Sequence, residues 1–303
     1  LSDVELADYD DVGMTIDAEP RVKAFKGEEA FTAALLGVTQ ATPPRLWLTG
    51  GHGEKSVSSP EPGGLSDLKK YLEQQNMVLE EINLLQHPTI PADVKLVVIP
   101  GPTRRFADTE LEVLHGYLDR GGSLLALLDP LTDTVLEDLL NRWGILVGND
   151  IVVDPARQLP FVSAANLFVT DYTQHPIVEK MKTLMTLYPL ARSIRPAEPS
   201  PQDTTVSPLA FTSADGWGET TTGDSTFTFA EGEDLKGPVP IAAAAERTAS
   251  LPAPSPSGEP EARQAGLPAP GQALQPEAPL PVPSTGEQTG QAEVRIRIVA
   301  IGD

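Results

Sequence analysis

The chain has 303 residues, 43 acidic against 22 basic, for a formal net charge of −21 at pH 7. Such a surface repels phosphate backbones and anionic lipid headgroups, which argues against nucleic acid and against direct docking on an anionic bilayer. Cysteine is absent, which removes a thiol nucleophile, a disulfide and any Cys-ligated zinc, and no run of about 18 apolar residues marks a membrane span.

The chain opens acidic and irregular. Residues 27–40 (GEEAFTAALLGVTQ) then place Ala30, Phe31, Ala34, Leu35 and Val38 at helical spacing, and Thr42-Pro43-Pro44 ends the pattern. A regular alternation follows. Residues 45–49 form a short apolar strand, and residues 65–75 a helix with Leu65, Leu68 and Leu72 on one face. Residues 78–84 alternate as a strand, and 95–99 (KLVVI) read as a strand buried on both faces. A helix is expected over 108–119, with Leu111, Leu114 and Leu118 on one face and Asp108 or Thr109 as its cap. Residues 123–128 (SLLALL) form another buried strand. Residues 134–143 form a helix with Gly144 at its C-terminal cap, and 145–147 and 151–153 are short strands. Strands alternating with helices imply a mainly parallel sheet flanked by helices, with its core in 45–153.

The pattern weakens beyond residue 154. A helix is expected over 175–185 and strands over 187–194, 208–212, 225–229 and 239–245. Residues 249–292 are built largely of Pro, Ala, Ser, Gly, Gln and Glu. That composition buries too little apolar surface to offset its ordering entropy, and it reads as a disordered Pro-rich insert. The strand-like EVRIRIVAI (293–301) follows. The expected organisation is therefore one α/β domain, 1–248 plus 293–303, interrupted by the 249–292 insert.

The stretch TGGHGEKS (49–56) looks at first like a phosphate loop. Such a loop needs glycine before the lysine and a helix opening at once behind it. Here Glu54 precedes Lys55, and a Ser-, Pro- and Gly-rich loop follows. The dinucleotide pattern fails as well, because Ser56 stands where the third glycine belongs. Two readings remain: a tight turn needing positive φ at glycine, or a ligand-facing loop at the carboxyl end of the first strand. On the second reading Gly51, His52, Gly53 and Glu54 face a ligand, joined by Asp129 at the end of a later strand. Asp129 and Asp154 also suit ordinary turn and cap chemistry. No G-x-S-x-G elbow is present and no nucleophile stands at the Leu127-Leu128-Asp129-Pro130 turn. No catalytic set, cofactor or metal is expected.

The order and spacing of several segments resemble a known family. They are GEEAFTAALLGVT (27–39), LWLTGGHGE (46–54), LKKYLEQQNMVLEEINLL (68–85), IPADVKLVVIPGP with FADTELEVLHGYLDRGGSLLALLDP (90–130), LLNRWGILVGNDIVVD (139–154), DLKGPVPIAAAAE (234–246) and RIVAIGD (297–303). The chain is similar to the extracytoplasmic auxiliary component of ABC transport systems associated with gliding motility. The resemblance implies a flavodoxin-like, class I glutamine amidotransferase-like fold without the amidotransferase cysteine. It implies membrane anchoring through flanking helices, a domain facing the periplasm from the bacterial inner membrane, and no enzymatic role. Implied partners are the permease and ATPase subunits and envelope proteins or cargo. The alternatives are a structural scaffold with no small ligand, and a hydrolase using His52, Glu54 and Asp129.

Overall fold

The computed structural model describes residues 42–61, 63–221, 227–250 and 293–302, together with 7–9, 22–25, 27–28, 30–32 and 35. Near the amino terminus, β1 (Ala7–Tyr9) and β2 (Val22–Phe25) form an antiparallel ladder where the sequence reads as irregular. The described positions of the expected 27–40 helix are helical, with Phe31 and Leu35 exposed and Ala30 half-buried.

The alternating segment then builds the sheet. β3 (Arg45–Thr49) leads through a long loop to α1 (Ser66–Gln74) and β4 (Val78–Ile82). β5 (Val94–Pro100) leads to α2 (Asp108–Asp119), β6 (Ser123–Leu128) and α3 (Leu136–Asn141). Helix α2 is capped at Ala107, one residue before the expected cap, with Glu110 accepting the Ala107 N–H at 2.9 Å. Helix α3 is shorter than the pattern suggests because Val135 takes a left-handed φ of 62°. β7 (Ile145–Val147) and β8 (Ile151–Val153) follow.

Beyond residue 154 several expectations change. β9 (Asn166–Val169) and β10 (Asp171–Tyr172) precede a 3₁₀ turn, Pro176–Met181, where a helix over 175–185 is expected. The expected strand 187–194 is broken. β11 (Thr186–Pro189) ends at Leu190, whose φ is 58°, and β12 (Ile194–Pro196) starts afresh. β13 (Thr204–Phe211) is longer than expected, and β14 (Trp217–Glu219) and β15 (Leu235–Lys236) complete the irregular part. Of the expected strand 225–229, residues 227–229 are not strand and the first two lie outside the described residues. β16 (Pro240–Ser250) takes Ala249 and Ser250 from the expected insert; the rest of 249–292 lies outside the described residues. β17 (Glu293–Gly302) closes the chain.

Eight strands pair in the order β10-β13-β16-β17-β6-β5-β3-β4. The run β17-β6-β5-β3-β4 is parallel, while β16, β13 and β10 add on antiparallel, so the sheet is mixed. Strand alternation sends the side chains to opposite faces. Leu46 and Leu48 of β3 and Val98 of β5 pack with Leu72 of α1 and with Leu65 just before it. Trp47, Val97, Ile99, Leu124 and Ala126 pack on the other face against Leu114, Leu118, Leu136 and Leu139 of α2 and α3. In β16 the alanines do the same on a smaller scale: Ala243 and Ala245 join the α2/α3 core, and Ala242 and Ala244 join a second core with Val152, Leu167 and Leu209.

Arg192, 2% exposed, joins these parts. Its Nε donates to the Gly148 carbonyl at 2.7 Å, and its Nη1 reaches the carbonyls of Asp129 and Thr132 and the Glu137 carboxylate at 3.2–3.3 Å. Burial pushes the guanidinium's pKa down, opposed by the charges of Glu137, Asp150 and Asp129. Gly302 sits against the Arg192 backbone so closely that a Cβ would lie 2.1 Å from its carbonyl oxygen. At the opposite end of the sheet, Arg45 bridges Glu80 at 2.7 Å and Asp93 at 2.6 Å. The Arg45 hydrogen bond, then that of Trp47, holds the Glu80 carboxyl below its ordinary value of 4.5.

Arg192→Leu removes the guanidinium donor from Glu137 and three carbonyls, of which Asp129 keeps Thr132 Oγ1 and Glu137 keeps Thr134 Oγ1, and should cost about 3 kcal/mol in urea unfolding. Glu80→Gln should cost less than about 1 kcal/mol at pH 7, because the pair is partly solvated. The depressed folded-state pKa makes this contribution present above pH 4.5 and lost as pH falls through the lower folded value. The two proteins should therefore converge in stability under acid, which a pH series of urea melts measures.

Candidate functional site

Parallel α/β sheets offer their ligand crevice at the carboxyl ends of strands, where successive connections depart to opposite sides. Here that point lies between β3 and β5: the chain leaves β3 for β4 on one flank and returns to β5 on the other. The loops that meet there are 50–54 after β3 and 101–106 after β5. Gly51 (φ +119°) and Gly53 (φ +84°) let the first loop fold back, and Gly101 (φ +66°) turns the second. A Cβ on Gly53 would lie 2.1 Å from Thr103 Oγ1, so only glycine fits.

The two loops are bonded to each other. The His52 carbonyl accepts the N–H groups of Thr103 and Arg104 at 2.9 and 3.0 Å and the Thr103 hydroxyl at 3.2 Å. The Lys55 N–H donates to the Pro100 carbonyl at 2.9 Å. The His52 side chain turns inward and is 10% exposed. Its ring stacks on Phe106 at 4.0 Å between centroids. Nε2 lies 3.0 Å from Glu110 Oε2, and Nδ1 lies 3.4 Å from Glu54 Oε1. Glu54 also accepts the His52 backbone N–H at 2.6 Å, so the turn closes on itself. Both carboxylate side chains are 1% exposed.

Several polar atoms are left over. Thr49 Oγ1, His52 Nδ1, Glu54 Oε1 and Glu110 Oε1 are buried without a hydrogen-bond partner. The two carboxylates flank opposite edges of one imidazole, so they do not converge on a common point. Among the described residues no group of His, Cys, Asp and Glu is arranged to hold a metal ion.

Of the residues expected at the site, Gly51, His52, Gly53 and Glu54 form the loop at the switch point. Asp129 stands at the next strand end, beyond Gly101. A Cβ at Gly101 would lie 3.2 Å from Asp129 Oδ2 and 3.3 Å from Lys55 Cε. The Asp129 carbonyl accepts Thr132 Oγ1 at 2.8 Å and Arg192. Asp154, also considered from sequence, accepts the Ser213 N–H at 2.7 Å and the Ser213 hydroxyl at 2.6 Å. The sequence reading missed Glu110, Phe106 and Thr103. Glu110 stands at the third helical position of α2, where a glutamate returns to the cap N–H; that pattern was visible, but its second bond to His52 was not.

Strand order and strand-end loops together define an open, mixed α/β domain with a largely parallel half. The chain belongs to the ABC transporter auxiliary family, described as an ABC-type uncharacterized transport system, which matches residues 43–303. It also resembles intraflagellar transport protein 52 homolog from Mus musculus, 44% identical over 64 residues, and from Homo sapiens, 41% identical over 64 residues. Each match covers 20% of this chain and 15% of the relative, so only a small part of those proteins is represented. A solved structure titled "mmIFT52 N-terminal domain" aligns with a TM-score of 0.50 and 17% identity over 85% of both chains, a likeness of fold alone.

Glu110→Ala removes the acceptor of both His52 Nε2 and the Ala107 N–H. It should destabilise the domain by about 2–3 kcal/mol in chemical unfolding, the cost of buried donors left unpaired. Gly53→Ala should cost about 1–3 kcal/mol through its left-handed φ and the clash with Thr103.

Proposed function

We propose that the chain is a non-enzymatic, extracytoplasmic accessory component of an ABC transport system linked to gliding motility. It binds the permease directly, engages the ATPase through that complex, and recruits envelope proteins or cargo. On this reading flanking segments hold it at the bacterial inner membrane with the domain in the periplasm. The observation that carries the proposal is the family match over 43–303. Among the described residues no helix is long and apolar enough to cross a membrane, so anchoring rests on segments or partners beyond them.

Two structural features support the reading. First, taken in chain order the parallel strands run 2-1-3-4-5, the order of flavodoxin-like sheets. This favours a flavodoxin-like, amidotransferase-like domain, and Leu128-Asp129-Pro130 stands at one of its strand ends without a nucleophile. Second, the imidazole of His52 is engaged with Glu110 and stacked on Phe106, a structural role between two loops.

Affinity purification of the intact, membrane-extracted protein should recover the permease and ATPase subunits in fixed ratio. Recovery of the protein alone, under conditions that keep the transporter assembled, sinks the proposal. Asp129→Ala should leave transport in cells within about twofold of wild type, since no bond-making step is assigned to it; a loss of two or more orders of magnitude, the scale of removing a catalytic group, favours the hydrolase alternative.

A further inference from the structure

Exposed apolar side chains are concentrated in one part of the chain. Among the described residues seventeen large apolar side chains are exposed, and seven of them fall within 159–190. Leu159, Phe161, Leu184, Met185, Leu187 and Leu190 are six of these. The β9/β11 ladder gathers them. Tyr188 stands opposite Leu167 and packs with it and Val169 in the second core. Alternation therefore turns Leu187 and Pro189 outward, with Leu187 opposite the half-buried Phe168. Leu184 and Met185 lead directly into β11. At the other end of the ladder the Leu190 N–H donates to the Ala165 carbonyl at 2.9 Å, which sets Leu190 beside the segment that follows Phe161.

The 159–162 turn adds an independent observation. The Val162 N–H donates to the Leu159 carbonyl at 3.1 Å, Pro160 holds the second position and Phe161 takes φ +67° at the third. The Gln158 side-chain amide donates to the Val162 carbonyl and holds the turn. That third position favours glycine, because a side chain at positive φ is strained. Phe161 is fully exposed, so the domain gains no burial from the strained ring. Leu190 repeats the combination, exposed at φ +58°. Apolar groups displayed in this way point to a use outside the domain.

The charge of this region departs from that of the chain. Residues 155–190 carry three cations, Arg157, Lys180 and Lys182, and two carboxylates, Asp171 and Glu179. That net of +1 leaves −22 on the remainder of a chain at −21. Arg157 meets Asp171 and Lys182 meets Glu179, each at 2.6 Å, and Lys180 is exposed. The Leu184 N–H donates to the Met181 carbonyl at 2.8 Å, which joins the turn carrying these lysines to the apolar face. Repulsion of an anionic bilayer by bulk charge therefore holds for the remainder and not for this face.

We propose that this face docks the domain directly on a phospholipid bilayer. Phe161 and the outer row of β11 enter the acyl boundary, and Lys180 and Lys182 stay at the headgroups on their long stems. Two features favour a bilayer over a second copy of the chain. Side chains that project from a turn and from one row of a ladder enter a fluid acyl layer without a matching pocket. An anionic surface also attracts this face and repels the −22 remainder, which orients the domain, whereas two copies in contact bring two such remainders together. The inference rests on the reading that the domain stands beside a membrane, and adds that the domain itself touches the lipid.

The test uses the 303-residue chain and vesicles of phosphatidylcholine and phosphatidylglycerol in equal parts, compared with phosphatidylcholine alone. Because the chain has no cysteine, Phe161→Cys, Leu187→Cys and, as a control, the exposed Asp67→Cys of α1 each take a single environment-sensitive dye. Dyes at 161 and 187 should shift to the blue on the mixed vesicles, and the dye at 67 should not. Phe161→Ser should weaken co-flotation about tenfold, the scale of burying one large apolar side chain. Phe161→Gly should weaken it as well while raising the melting temperature, since it relieves the positive φ; this separates lost docking from lost folding. Lys180→Glu with Lys182→Glu should remove the preference for the mixed vesicles. No flotation, or an equal shift of all three dyes, overturns the proposal. A dimer in light scattering that Phe161→Ser and Leu187→Ser abolish assigns the face to a second copy and also overturns it. Absence of vesicle binding together with loss of permease recovery in Phe161→Ser assigns the face to the permease instead. The vesicles hold no transporter, so failure here leaves recovery of the permease by the unaltered protein as a separate result.

Discussion

A buried arginine sets the terms for the carboxyl side of the sheet. Arg192 cannot keep its charge out of water without acceptors, and its fork finds them in three backbone carbonyls and one carboxylate. Those acceptors belong to the turn after β6, the turn after β7 and the start of α3. Gly302, at the end of β17, packs against its backbone. Desolvation of one ion thus fixes where the parallel half of the sheet ends and how the irregular strands of 145–196 fold back onto it. The neighbouring Ser193 repeats the device: its N–H and hydroxyl both bond Asp150, at 2.8 and 2.7 Å, in the same buried turn.

His52 ties the loops together in a similar way at the β3/β5 crevice. That crevice is the place where sheets of this order usually admit ligands. In this chain its walls are tied together by the His52 carbonyl, and its interior holds an imidazole packed on Phe106 between two buried carboxylates. The glycines that make the loop look like a phosphate cradle instead allow the turn to fold back, so that Glu54 caps it.

The central α/β unit was legible because buried strands and amphipathic helices have different periods. KLVVI, SLLALL and the leucines of α2 declared their faces without reference to anything distant. Legibility failed where a single residue adopted a conformation that its type seldom takes. Val135 shortened α3, and Leu190 split an expected strand into β11 and β12. Both are apolar residues at positive φ, imposed by tertiary packing against their local preference. The 175–185 stretch shows the same override, with a 3₁₀ turn in place of a helix. At the site, Gly51, His52, Gly53 and Glu54 could be picked out as one loop. Glu110 could not be joined to them, since it lies 58 positions from His52 and its local pattern already accounts for it as a cap.

Residue chemistry and local order were enough for the composition-level exclusions, the alternation of strands and helices, and the loop whose glycines must take positive φ. Each of these depends on contacts within a few positions along the chain. Two further facts had to wait for the folded chain: that β16, β13 and β10 add antiparallel to a parallel sheet, and that His52 lies between Glu54 and Glu110. The physical reason is common to both. Strand neighbours and buried ion partners are set by which distant segments reach the same point in space, and that follows from the packing of both faces of the sheet together.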